Sequence, residues 1–153
     1  MPSAFPARKF AAAFSRDDPA GAAKTRAEAA RVLVVEDDYL VAAEIESALD
    51  QAGFDVIGIA NSADEALELA AAECPLIAVM DIRLNGRRDG IDTALELFTA
   101  HGIRCIFATA HQTADARGRA IPAKPIAWLP KPYTMRTLVA VVRQAVQELR
   151  REP

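Results

Sequence analysis

The chain has 153 residues, 52% hydrophobic and 25% charged, enough for one domain around a single buried core. Its 18 basic and 21 acidic residues leave a net charge of −3, which excludes the broad basic surface that a phosphate backbone demands, so no direct nucleic-acid partner is expected. No run approaches a bilayer-spanning length, and "FAAAF" at 10–14 is too short for a signal-peptide core, so a cytoplasmic protein without membrane insertion is expected.

Residues 1–29 are rich in alanine, interrupted by Pro2, Pro6, Pro19 and Gly21, and lack a helical stripe. They read as a flexible N-terminal leader, with the folded domain over 30–151. The first apolar run, Val32 to Val35, predicts a strand that ends against Glu36, Asp37 and Asp38. Three carboxylates this close repel one another, so the cluster is either well solvated or compensated by a cation. A helix comes next, with Val41, Ile45, Ala48 and Leu49 on its apolar face.

The second strand is Val56 to Ala60, and the second helix presents Ala63, Ala66, Leu67 and Ala70. Ser62 and Glu65 open that helix with the spacing of a capping box. The third strand, Leu76 to Met80, runs into Asp81; the loop "NGRRDG" then leads to a helix carrying Ile91, Ala94, Leu95 and Phe98. The fourth strand, Cys105 to Ala108, ends at Thr109. Gly118, Pro122 and Pro125 interrupt the segment after it, so only a short, irregular fourth helix around "TADARGRA" is expected.

The fifth strand, Ile126 to Leu129, leads to Lys131, and the closing helix places Leu138, Val139, Val142, Ala145, Val146 and Leu149 on one face. Strands that are apolar throughout and alternate with helices predict an α/β fold: a doubly wound, five-stranded parallel sheet covered on both faces. Cys74 and Cys105 lie beside core strands without CxxC spacing, and read as reduced, partly buried thiols.

In such a sheet, ligands sit at the carboxyl ends of the strands. That rule brings Glu36, Asp37, Asp81, Thr109 and Lys131 to one rim. Hard oxygen ligands from two strands suit magnesium, and an aspartate carboxylate can accept a phosphoryl group as an acyl phosphate. Thr109 can offer a hydroxyl and Lys131 an ammonium to the phosphoryl oxygens. Taken singly, each residue also has an ordinary structural reading: a solvated strand end, a turn cap, a small strand residue, a surface charge. Their conjunction points to chemistry.

Over residues 31 to about 150 the sequence resembles the receiver domain of bacterial two-component response regulators. "VLVVEDD", "LIAVMDIRL", "FATAH" and "WLPKPY" carry the resemblance, in the family's order and approximate spacing. It implies a flavodoxin-like fold with Glu36 and Asp37 as the acidic pair, Asp81 as phosphoacceptor, Thr109 as switch hydroxyl and Lys131 as phosphate contact. It also implies Mg2+ held by the acidic pair, Asp81 and the backbone carbonyl of Arg83, and a Lys131–Pro132 bond of the kind commonly cis in this family.

Trp128 occupies the family's aromatic switch position, where a static core residue is the rival reading. Arg83 and His111 stand two residues beyond Asp81 and Thr109, at positions that tune the lifetime of the phosphoryl group. Asn85 replaces the usual proline, and Gly86 and Gly90 are expected to supply unusual backbone angles in a reshaped loop.

The final helix ends about twenty residues after Lys131, so a single-domain response regulator is the expectation. It would take a phosphoryl group from a histidine kinase or histidine phosphotransfer protein, catalysing its own phosphorylation and dephosphorylation rather than turning over a separate substrate. Output would pass to a downstream protein target or along a phosphorelay, and a homodimer is compatible with it. An aspartate-based phosphatase fits less well, because Arg83 stands where its second aspartate is needed. A phosphorylation-independent pseudo-receiver is the other alternative.

Overall fold

A computed structural model of the chain describes residues 29–110 and 112–153. The leader expected over 1–29, except Ala29, lies outside the described residues, as does His111. In chain order the elements are β1 (Arg31–Val35), α1 (Tyr39–Gln51), β2 (Asp55–Ala60), α2 (Ala63–Glu73), β3 (Ile77–Met80) and α3 (Gly90–His101). Then come β4 (Arg104–Thr109), α4 (Ala114–Ala120), a 3-10 turn (Ile121–Ala123), β5 (Ala127–Pro130) and α5 (Met135–Arg151).

The five strands pair in parallel in the order β2-β1-β3-β4-β5. Alternation along each strand sorts the side chains onto two faces. Leu33, Val35, Ala78, Met80, Cys105 and Phe107 pack with α2, α3 and α4, whereas Val32, Val34, Ile77, Val79, Ile106 and Ala108 pack with α1 and α5. Each fully buried Leu, Ile or Phe contributes about 1.5–3 kcal/mol, so the central strands anchor the rim above them. The order reverses between β1 and β3, and that switch point opens the crevice where Glu36 and Asp81 emerge.

Local chemistry sets the helix ends. Asp38 caps α1, accepting from the N–H groups of Leu40 and Val41. Ser62 caps α2 through the N–H of Glu65, but the Glu65 carboxylate accepts from Asn61 rather than closing on Ser62. The fourth helix is short, as expected: it stops at Ala120, and Pro122 sits in the 3-10 turn after it. On α1 the buried residues are Ala42, Ile45 and Leu49, whereas Val41 and Ala48 of the expected face are only half-buried.

Two further expectations are corrected. Neither cysteine is partly buried: Cys105 is fully buried in β4, whereas Cys74 is exposed at the C-cap of α2, in the left-handed region at φ 48°. Gly86 supplies an unusual angle, with φ 98°, but Gly90 is not among the positive-φ glycines. Its role is space: a Cβ at position 90 would lie 2.0 Å from the Asp81 carbonyl oxygen. The loop carrying Asn85 is held by a bridge from Asn85 to Ser62 and by Arg88, which pairs with Asp64 and Glu96.

Candidate functional site

The acids that close β1 divide by role. Asp38 is exposed and spends its side chain capping α1, while its own N–H donates to Glu36 Oε2 at 3.0 Å. Glu36 is buried and held at the rim by its N–H, which donates to the Ala60 carbonyl at 2.9 Å. Asp81 comes directly after β3, its N–H donating to the Val35 carbonyl at 3.0 Å. Continuation of the ladders past the strand ends therefore fixes both backbones.

Carboxylate oxygens of Glu36, Asp37 and Asp81 lie within 4.8 Å of one another. The Lys131 ammonium stands 3.5 Å from Glu36 Oε1 and 3.6 Å from Asp81 Oδ2. The Arg83 N–H donates to Asp81 Oδ1 at 3.4 Å. Burial pushes the Glu36 carboxyl up to about 7; the Asp38 N–H and Lys131 oppose that rise and the charge on Asp81 adds to it. A group of hard oxygen donors with one member reluctant to ionise fits a small divalent cation such as magnesium, which would favour the charged form.

Lys131 is placed by β5. Its N–H donates to the Thr109 carbonyl at 3.0 Å, and the Lys131–Pro132 bond is cis. Thr109 ends β4 and is 2% exposed. Glu36, Asp37, Asp81, Thr109 and Lys131 thus occupy the carboxyl ends of four adjacent strands, β1, β3, β4 and β5.

The Arg83 side chain is exposed. Trp128 is opposite Phe107 in the β4–β5 register, with ring centroids 4.8 Å apart, and the Arg117 guanidinium covers its ring at 4.7 Å. It is half-buried, lining an open cavity of about 580 Å³ with Ala114, Arg117, Gly118, Ile121 and Pro125.

Tyr133 is a residue that sequence reasoning missed. Half-buried beside the rim, its hydroxyl is pushed up to about 12, by burial first and then by the charges of Glu36, Asp81 and Glu44. Its position two residues after Lys131 in "WLPKPY" was the available signal.

The family model described as response regulator receiver domain matches residues 32–143. The transcriptional regulatory protein PdtaR of Mycobacterium tuberculosis is 34% identical over 120 residues, covering 78% of this chain and 58% of that protein. The phyllosphere-induced regulator PhyR of Methylorubrum extorquens is 31% identical over 131 residues, covering 84% of this chain and 48% of that protein. The chain therefore spans only 48–58% of the length of these two relatives.

Among solved structures, the signal receiver domain of a modulated diguanylate cyclase from Desulfovibrio desulfuricans G20 gives a TM-score of 0.73 at 34% identity, over 80% of this chain and 97% of that one. A CheY-like response regulator receiver domain protein from Methanospirillum hungatei JF-1 gives 0.76 at 24% identity, over 82% and 99%, which is a likeness of fold alone.

Proposed function

The chain belongs to the response regulator receiver domain family, and on that premise we propose that it accepts a phosphoryl group on Asp81 from a histidine kinase or histidine phosphotransfer protein. The receiver unit runs over 30–151. The observation that carries the reading is the Lys131 ammonium shared between Glu36 and Asp81, with the Asp37 carboxylate in the same cluster. Such an arrangement places one cation beside the nucleophile and leaves the acids to attract another.

Asp37, Asp81 and the Arg83 carbonyl, with Glu36 beside them, would hold Mg2+, which when bound offsets the repulsion between the carboxylate and the incoming phosphoryl group. An Asp81 carboxylate oxygen attacks phosphorus, and the phosphorus–nitrogen bond of the donor phosphohistidine breaks with its electron pair going to the imidazole. Lys131 and the Thr109 hydroxyl take up the charge on the phosphoryl oxygens, and Arg83 and His111 set water access and so the lifetime of the acyl phosphate.

Output arises from a partner's different affinity for the two states, with Thr109 and Trp128 as the switching pair, or from onward transfer in a relay. Tyr39 and Leu40, 75% and 76% exposed beside the acids, support contact with a protein donor. A cytoplasmic location accords with this chemistry, and no helix among the described residues is long and apolar enough to cross a membrane.

The test is intact-protein mass after incubation with Mg2+ and a small acyl phosphate, with Asp81→Asn alongside. One added phosphoryl group in the parent and none in the variant is expected. If the parent gains no phosphoryl group and binds no beryllofluoride, the reading fails in favour of a phosphorylation-independent interaction module.

A further inference from the structure

Away from the carboxylate cluster, a set of charged contacts ties α4 to α3. Arg119, in the last turn of α4, donates through Nη1 to Asp89 Oδ2 at 2.9 Å, and through Nη2 to Asp89 Oδ1 and Asp92 Oδ1, both at 3.2 Å. Asp89 is the N-cap of α3, and it exchanges reciprocal capping bonds with Asp92. Arg119 therefore grips the two side chains that begin α3. A planar guanidinium suits that task, since its fork fixes direction as well as charge.

One residue further along the chain, α3 rests on the phosphoacceptor's backbone. The Gly90 N–H donates to the Ile82 carbonyl at 2.6 Å, and Gly90 leaves no room for a Cβ against Asp81 and Ile82. Contacts this tight transmit displacement, because no free volume absorbs it. On α4 itself, Arg117 lies over Trp128 and donates to Gln112 Oε1 at 2.5 Å. A continuous path thus leads from the Asp81 backbone through Gly90, Asp89 and Arg119 to α4 and Trp128.

We infer that Arg119 is a positioning residue that transmits the state of the Asp81 site to α4 and, through Arg117, to the Trp128 ring. The inference rests on the phosphoacceptor reading above and adds a route through α3 beside the one through Thr109. Side-chain exposures of 42% for Arg119, 32% for Asp89 and 48% for Asp92 make these pairs weak contributors to global stability. Their loss should leave the fold intact and show itself in coupling, for which contact alone is not a measure.

Trp128 is the only tryptophan in the chain, so emission reports this ring alone, and the difference between parent and variants isolates the share that arrives through α3. Mg2+ and beryllofluoride are titrated into the full chain, with binding followed by calorimetry and Trp128 emission read on the same samples. The variants are Arg119→Gln and Asp89→Asn, the latter retaining a side chain able to cap α3. In the parent, emission should change in step with binding. In both variants, affinity should stay within about threefold while the emission change falls to less than about half.

A full emission change in either variant, or binding by the parent without any change, would overturn the inference. Loss of binding in the variants would place Arg119 in the architecture of the Asp81 site and would also overturn it. Absence of binding in the parent would defeat the phosphoacceptor reading itself, and the inference with it.

Discussion

Glu36 and Lys131 meet 3.5 Å apart at the rim, although β3 and β4 lie between their strands in the sheet. The Glu36 side chain is 5% exposed and that of Lys131 is 30% exposed, so the pair is only partly screened. Lys131→Ala removes a cation from beside two carboxylates. Mg2+ should then bind about fivefold more tightly, as expected from about 1 kcal/mol of relieved repulsion between like charges. On the proposed phosphoacceptor reading, phosphorylation by a small acyl phosphate should slow by about tenfold or more, since the charge neutralisation that Lys131 would supply at the phosphoryl oxygens is lost. A Mg2+ titration and a mass time course on one preparation check both.

Glu36 gives the stability of the fold a pH dependence below neutrality. Its carboxyl titrates near 7 in the folded chain against a reference of 4.5, so between those values the folded state holds more protons than the unfolded one. Stability without Mg2+ should therefore fall as pH rises through that window, by about 2 kcal/mol. The groups facing Glu36 are the Asp38 N–H, Asp37, Asp81 from β3, Lys131 from β5 and the Tyr133 hydroxyl. Urea unfolding at pH 5 and pH 7.5 should show the fall in the parent and a flatter response in Glu36→Gln. Saturating Mg2+ should reduce it.

Gly90 is required for space. In Gly90→Ala the new methyl would meet the Asp81 carbonyl oxygen at 2.0 Å and Ile82 Cα at 2.7 Å, both backbone atoms that cannot rotate away. A loss of about 3 kcal/mol is expected. Gly118→Ala, where an added Cβ meets nothing within 4 Å, should be neutral or slightly stabilising. Paired denaturation curves make the comparison.

The two cysteines should react at very different rates. Cys105 is 1% exposed, and burial pushes its thiol up to about 12, whereas Cys74 is exposed. An aromatic disulfide reagent should titrate one thiol in the native chain and two in denaturant. Two fast thiols without denaturant would contradict the packing of β4 against α3 and α4.

The sequence by itself determined the βα alternation, the five strands and the rim residues, because apolar runs, helical stripes and polar strand ends are local patterns. It also exposed the shortness of α4, since proline and glycine act on their own backbone, whereas the departure at Asn85 was legible only against the pattern of the family that the sequence resembles. What it could not contain were relationships set by strand order. The division of the acids is one: Asp38 caps α1, whereas Glu36 turns inward to Lys131, a partner 95 residues away.

Gly90 is another case, since the need for glycine arises from the approach of α3 to Asp81 and not from a backbone angle. Arg119 is a third, an ordinary basic residue in a short helix until the packing of α4 on α3 brings it to Asp89 and Asp92. Periodicity fixes which face of an element is buried, but only the tertiary arrangement decides which charged groups meet, because such meetings depend on distances across the sheet.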